Sequence, residues 1–535
     1  MLHAVYTPVL NVALRWRWLV VVLGIVAVAS IWYPMSHLGS EFMPPLWEGD
    51  LLYMPTTFPG ISITKAKELL QQTNKIIKSF PEVESVLGKV GRADTATDPA
   101  PLSMIETTIR LKDPSQWRPG MTKDKLIDEL NQAIQFPGVT NAWTMPIKTR
   151  IDMLSTGIKT PVGIKIAGPD LKELERLGKE VEAVVKPLPD TLSAYAERVM
   201  GGNYLDFDIN REAAARYGLT VGDVQDVISS AIGGMNVSWS VEGLERYPIN
   251  IRYPRELRSD IERLGETLVT TVAGAQVPLT QVATIHIHQG PAGIKSENAR
   301  PNAWVYVDLK TSDVGAWVAR AKKVVSEQIE LPAGYTIFWS GQYEYMQRAK
   351  ARLLVIVPIT LFLIFLILYL NTKSIVKTAI VLLAVPFSAV GAIWLMYFLG
   401  YHWSIAVWVG LIALAGLDAE TGVVMLLYLD LAHDRRRQEG QLGTYSDLVQ
   451  AVDHGAVQRI RPKMMTMLTI LLSLMPILWA TGTGADVMRR IAAPMVGGVV
   501  TSFVGELIIY PSVYFIWRSI KLRRTPLHAS SAEST

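Results

Sequence analysis

The chain contains no cysteine. That excludes a disulfide framework and a thiolate metal site, so any soft-metal chemistry must use thioethers. There is also no Gly-x4-Gly-Lys-Ser/Thr phosphate cradle, which argues against direct use of ATP. Charge is scarce: Asp, Glu, Lys and Arg make up 19% of the 535 residues, while 50% are hydrophobic. This is too apolar for an ordinary soluble protein and too charged for one wholly in lipid. The balance implies helices in a membrane with one or two domains in water. The net charge of +4 is small, and the basic residues cluster beside apolar runs. There they act as topology signals and not as a nucleic-acid surface.

Six apolar stretches are long enough to span a bilayer: Trp18–Tyr33, Leu353–Leu370, Ala379–Leu399, Ile405–Leu429, Met465–Ala480 and Ile491–Trp517. The first is short, and Ala27-Val28-Ala29 resembles a signal-peptide cleavage site. Trp16, Trp18, Trp32 and Tyr33 favour a span anchored at both interfaces instead. The preceding Tyr6–Arg17 reads as an amphipathic helix on the inner surface. Arg15 and Arg17, Lys373 and Lys377, Arg435-Arg436-Arg437, and Lys521, Arg523 and Arg524 all fall on one side if both termini are cytoplasmic. Arg489 and Arg490 are the exception. The segment from about Gly39 to Gln347 then lies outside, which at a bacterial inner membrane means the periplasm.

Glu420 stands inside the fourth apolar stretch. An ionisable group at bilayer depth is expensive and marks an ion or proton pathway. The large outer segment offers a place for cargo. Together they point to a proton-coupled transporter, not an enzyme.

That outer segment repeats a strand–helix–strand rhythm. Asp50–Met54 leads into helical Ile61–Phe80, then Val83–Leu87 and Ile105–Leu111. Val162–Ile166 leads into Leu171–Val185, then Tyr195–Val199 and Tyr204–Ile209. Trp304–Leu309 leads into Val314–Gln328 and Tyr335–Trp339. The expected fold class is six transmembrane helices with a large α+β region of ferredoxin-like split βαβ subdomains. The expected division is a surface helix and first span (1–38), porter subdomains (39–200), an inserted docking-like subdomain (201–300), the end of a porter subdomain (301–347), a five-helix bundle (348–524) and a disordered cytoplasmic tail (525–535).

Several runs carry a resemblance: Gly39-Ser40-Glu41-Phe42-Met43, Glu48 to Met54, Arg150 to Gly157, Glu297 to Pro301, Arg461 to Thr466, Arg490 to Gly498, and Ala419-Glu420-Thr421-Gly422-Val423-Val424-Met425. Up to about residue 524 the chain resembles the C-terminal half of a heavy-metal resistance–nodulation–division (RND) efflux pump of the copper/silver branch. The resemblance implies proton antiport, with no cofactor and with Cu(I) or Ag(I) as cargo. It places three thioether ligands on Met54, Met104 and Met153. These are soft neutral donors suited to monovalent ions. It also places charged cleft residues at Glu48, Lys75, Glu106 and Arg150, and a proton relay at Glu420 and Lys463. Met43 and Met145 are read as packing residues.

The implied partners are an N-terminal half, a periplasmic adaptor, an outer-membrane channel, membrane lipid and two further protomers of a trimer. Such pumps carry twelve spans, so this chain reads as a split subunit, a truncated sequence or a fragment, without transport by itself. Two alternatives stay open: a non-transporting metal-binding membrane protein, and a divalent-cation exporter. Asp418, about 200° round the helix from Glu420, and Glu506 match no carboxylate of the family. His286 and His288, two apart on a strand, read as an exposed pair more than as zinc ligands.

Overall fold

The computed structural model describes residues 2–44, 47–91 and 100–524; the tail expected over 525–535 lies outside them. Among the described residues six helices are long and apolar enough to cross a membrane. They are numbered here as span 1 (Arg17–His37), span 2 (Gln342–Thr372), span 3 (Ile375–Leu399), span 4 (Ile405–Gln438), span 5 (Tyr445–Trp479) and span 6 (Ala485–Ile520, continuing helical to Arg524). Spans 4 and 5 outrun their apolar stretches. Span 4 ends in Arg435, Arg436 and Arg437, cations that suit a helix C-terminus. Span 5 starts at a capping box in which Thr444 and Asp447 satisfy each other's backbone N–H.

Spans 3, 4 and 6 form the buried middle of the bundle, and spans 1, 2 and 5 expose most of their surface. Small residues permit the close approach in the middle. A Cβ on Gly391 of span 3 would fall 2.0 Å from the Gly497 carbonyl of span 6, so the two backbones meet where only hydrogen side chains fit. The amphipathic N-terminal segment forms the helix Leu2–Arg15. It buries Tyr6, Leu10, Ala13 and Leu14, and the Tyr6 hydroxyl donates to the Leu507 carbonyl at 2.7 Å.

Among the described residues two larger antiparallel sheets, with three two-stranded pairs beside them, build the extramembrane region. The first runs Val83–Val90, Ile105–Leu111, Leu51–Tyr53, Trp143–Thr144 in spatial order. Helices Ile63–Lys78 and Lys123–Ala133 cover it through Ile77, Leu126 and Leu130 against Leu51, Tyr53 and Ile109. The second runs Lys295–Glu297, Arg300–Leu309, Val162–Ala167, Thr336–Gly341, with Thr191–Ala196 also pairing to Arg300–Leu309. Helices Leu171–Val185 and Val314–Gln328 pack on one face, burying Leu174, Leu177, Trp317 and Val318 against Ile164, Ile166, Val305 and Val307. The expected α+β architecture is therefore present. Between strands of the second sheet, Gly202–Ile209 pairs with Ala283–Gly290, and Met235–Glu242 forms an exposed hairpin with Glu245–Ile251.

Arg490, the exception among the basic clusters, has a structural reason for its place. Its Nε lies 2.7 Å from Glu41 Oε1, and both side chains are largely buried. It ties the outer end of span 6 to the segment following span 1.

Candidate metal cleft and membrane charge cluster

Met54 directly follows the strand Leu51–Tyr53. It is fully buried, and its N–H donates to the Ala142 carbonyl at 2.9 Å. Met104 stands one residue before the strand Ile105–Leu111 and forms an isolated bridge with Thr56. Along that strand Ile105, Thr107, Ile109 and Leu111 are buried. Alternation then puts Met104 and Glu106 together on the other face, both half-buried. Met153 is half-buried on the helix Pro146–Thr156.

Glu48 orients that helix. Its carboxylate accepts the N–H groups of Ile147 and Lys148, each at 2.7 Å, at the end where the helix dipole favours an anion. Gly157 closes the helix at φ 76, and a Cβ there would fall 2.3 Å from the Trp304 ring. Lys159 then reaches back, donating to the Met54 carbonyl at 3.2 Å and to Thr56 Oγ1. One lysine thus links the strand of Met54, the bridge to Met104 and the end of the helix that carries Met153. Sequence reasoning passed over Lys159, because only the folded chain sets it beside Met54. Burial lowers its ammonium to about 8, partly offset by Glu197.

The other charged candidates differ in setting. Glu106 pairs with Lys89 at 3.1 Å across neighbouring strands. Lys75 and Arg150 are exposed. Met145 is buried, as a packing residue should be, whereas Met43 is exposed. His286 and His288 share a strand face with Asp206, 2.9 Å from His288 Nδ1, and both remain about half exposed. Among the described residues no group of three His, Asp or Glu could hold a metal ion.

Asp308 lies buried near the end of the strand Arg300–Leu309. Burial pushes its carboxyl up to about 6, against a hydrogen bond from the Leu309 N–H and the nearby Lys148 and Lys159. A carboxyl raised in the folded state stabilises the fold at pH below its unfolded value of 3.8. That contribution is lost as pH rises through about 6. Asp308→Asn is therefore expected to raise stability at pH 8 by about 1–3 kcal/mol, with a smaller gain at pH 5. Thermal melts of the full chain in detergent at the two pH values check this; an equal or larger gain at pH 5 would refute it.

In the membrane the expected relay residues separate. Lys463 lies well inside span 5 and is buried, and its Nζ donates to Glu506 Oε2 of span 6 at 2.5 Å. The pairing implied for Lys463 with Glu420 is not what the structure holds. Glu506 Oε1 also accepts from Thr421 Oγ1 at 2.7 Å and Ser502 Oγ at 3.3 Å. Asp418 is buried on the same side of span 4. Glu420 points away and is exposed, in a stripe with Val409, Ala413, Gly416, Leu427 and Leu431. It makes no ion pair among the described residues. A carboxylate cannot rest there against lipid without large cost, and small residues at Ala413 and Gly416 suit a close helix neighbour.

The chain matches the model of the AcrB/AcrD/AcrF family over residues 1–518. It is 48% identical to SilA of Salmonella typhimurium over 96% of its own length and 49% of that protein. It is 46% identical to the cation efflux system protein CusA of Escherichia coli K12, over 95% and 49% respectively. To the cobalt-zinc-cadmium resistance protein CzcA of Cupriavidus metallidurans the identity is 32%, over 95% and 48%. A crystal structure of a heavy metal efflux pump superposes with a TM-score of 0.87 at 29% identity, covering 97% of this chain and 52% of that one. The chain spans about half the length of the curated relatives it matches.

Proposed function

This chain belongs to the AcrB/AcrD/AcrF family, a family of transporters and not enzymes, and from that premise we propose that it forms the C-terminal half of a proton-driven exporter of monovalent copper or silver. One observation carries the reading: Glu420 has no ion-pair partner among the described residues and stands exposed on an apolar span, on a face that also presents the small residues Ala413 and Gly416. A second six-span half, supplying the opposing helix, covers that face. Proton binding at Glu420 removes its charge, changes helix packing and drives the extramembrane cleft.

Cargo choice rests on Met54, Met104 and Met153, held by the Glu48 and Lys159 contacts described above. Thioethers favour Cu(I) and Ag(I) over harder divalent ions. The lower identity to the cobalt-zinc-cadmium protein than to CusA supports the same choice. Residues 39–200 and 301–347 form the porter region, 201–300 the docking region and 348–524 the main bundle. The chain sits in a bacterial inner membrane with both termini cytoplasmic and the sheets in the periplasm. There it works with an adaptor and an outer-membrane channel. The hairpin Met235–Ile251 exposes Val237, Trp239, Val241, Leu244 and Tyr247, an apolar surface that suits contact with neighbouring protomers of a trimer.

A second reading, metal binding without transport, has its own support: all three methionines belong to this one chain. Expression in a pump-deleted bacterium separates the two. Silver tolerance restored only together with an N-terminal half supports the exporter. Silver bound by the purified chain, with no tolerance in either case, supports the second reading instead.

A further inference from the structure

We propose that Asp418, Lys463 and Glu506 form a proton-binding site within this chain, separate from Glu420, which holds one proton on Asp418. Four spans enclose it. Lys463 comes from span 5, Glu506 and Ser502 from span 6, Asp418 and Thr421 from span 4, and Ser388 from span 3. The Lys463 and Glu506 side chains are 5% and 0% exposed. Both Glu506 carboxylate oxygens are engaged, one accepting from Lys463 and the other from Thr421 and Ser502. Asp418 lies beside Ser388 and Ser502 and forms no ion pair among the described residues. It is 2% exposed, and its Oδ2 has no hydrogen-bond partner among the described residues. It lines a cavity of about 20 Å³ shared with Lys463, Thr421 and Ser502, room for a single water.

The charge count decides the occupant. Two carboxylates and one ammonium leave one uncompensated negative charge at membrane depth, which is costly there. One proton from water, forming an O–H bond on Asp418, makes the cluster neutral, and no other bond changes. The remaining titratable groups nearby do not substitute for it. The Tyr510 hydroxyl is engaged with the Val381 carbonyl and the Ala384 N–H. Arg459, one turn before Lys463, is half-exposed and sits over the Tyr428 ring. Glu420 faces the other way.

The test is infrared difference spectroscopy on the full chain in lipid nanodiscs at neutral pH. The band read is the carbonyl stretch of a protonated carboxylic acid that shifts on exchange into D2O. A component of that band is expected in the wild type and in Glu420→Gln, and lost in Asp418→Asn. Glu506→Gln is expected to lose it too, although Asp418 is intact, because Asp418 and Lys463 then balance each other. A component that survives Asp418→Asn, or survives Glu506→Gln, overturns the proposal. Any role of this site in coupling rests on the exporter reading. The expected band pattern without silver export would keep the site and reject that reading.

Discussion

Glu420→Gln is expected to reduce silver tolerance, in cells making both halves, to the level of cells without the exporter, while silver binding by the purified chain stays unchanged. Gln keeps the shape of the side chain and removes its ability to carry and release a proton. Glu420 has no partner within the described residues and lies on an exposed face, so its loss leaves the fold of this half within about 0.5 kcal/mol of wild type. A defect in export therefore cannot be laid to unfolding. Tolerance plates together with silver titration of the same variant read both quantities. Full tolerance in the Gln variant would remove Glu420 from the proton path, and weakened silver binding would mean that the substitution had reached the distant cleft.

The second large effect is expected at the methionines. Met104→Leu should lower silver affinity by at least the 10–100-fold that follows loss of even an outer partner of a metal site. Leucine is close to methionine in volume, and such exchanges usually cost under ~1.5 kcal/mol, so the substitution removes sulfur and little else. Met54→Leu should behave alike even though Met54 is fully buried. Met145→Leu, at a buried position outside the ligand set, should leave affinity within about twofold of wild type, below the fold-changes that separate a ligand from a packing residue. Calorimetric titration of the full chain with silver distinguishes these results. Equal affinity in wild type and Met104→Leu would sink the thioether site.

The two expectations rest on different kinds of legibility. The spans were readable because an apolar run of membrane length has few other uses. The strand–helix–strand rhythm was readable because periods of two and 3.6 leave different patterns. Both sheets follow it, with strands such as Val162–Ala167 and helices such as Leu171–Val185 near their expected bounds. Glu48 was noticed through resemblance, yet its work at the start of Pro146–Thr156 became visible only with the helix and the carboxylate side by side. Lys159 carried no signal, because its link to Met54 joins residues 105 apart in the chain.

The amino-acid order by itself determined that the chain crosses a membrane, carries a large α+β region outside it and holds several carboxylates on the crossing helices. It also determined that Asp418 and Glu420 point in nearly opposite directions, since two residues turn a helix by about 200°. Which of the two meets protein was decided only by tertiary structure. Helical periodicity fixes the angle between side chains and leaves free the rotation of the whole helix against its neighbours. Packing through Gly391 and Gly497, and the contact between Lys463 and Glu506 across 43 residues of sequence, arise from how the spans assemble. That assembly buries Asp418 with a lysine and leaves Glu420 facing outward.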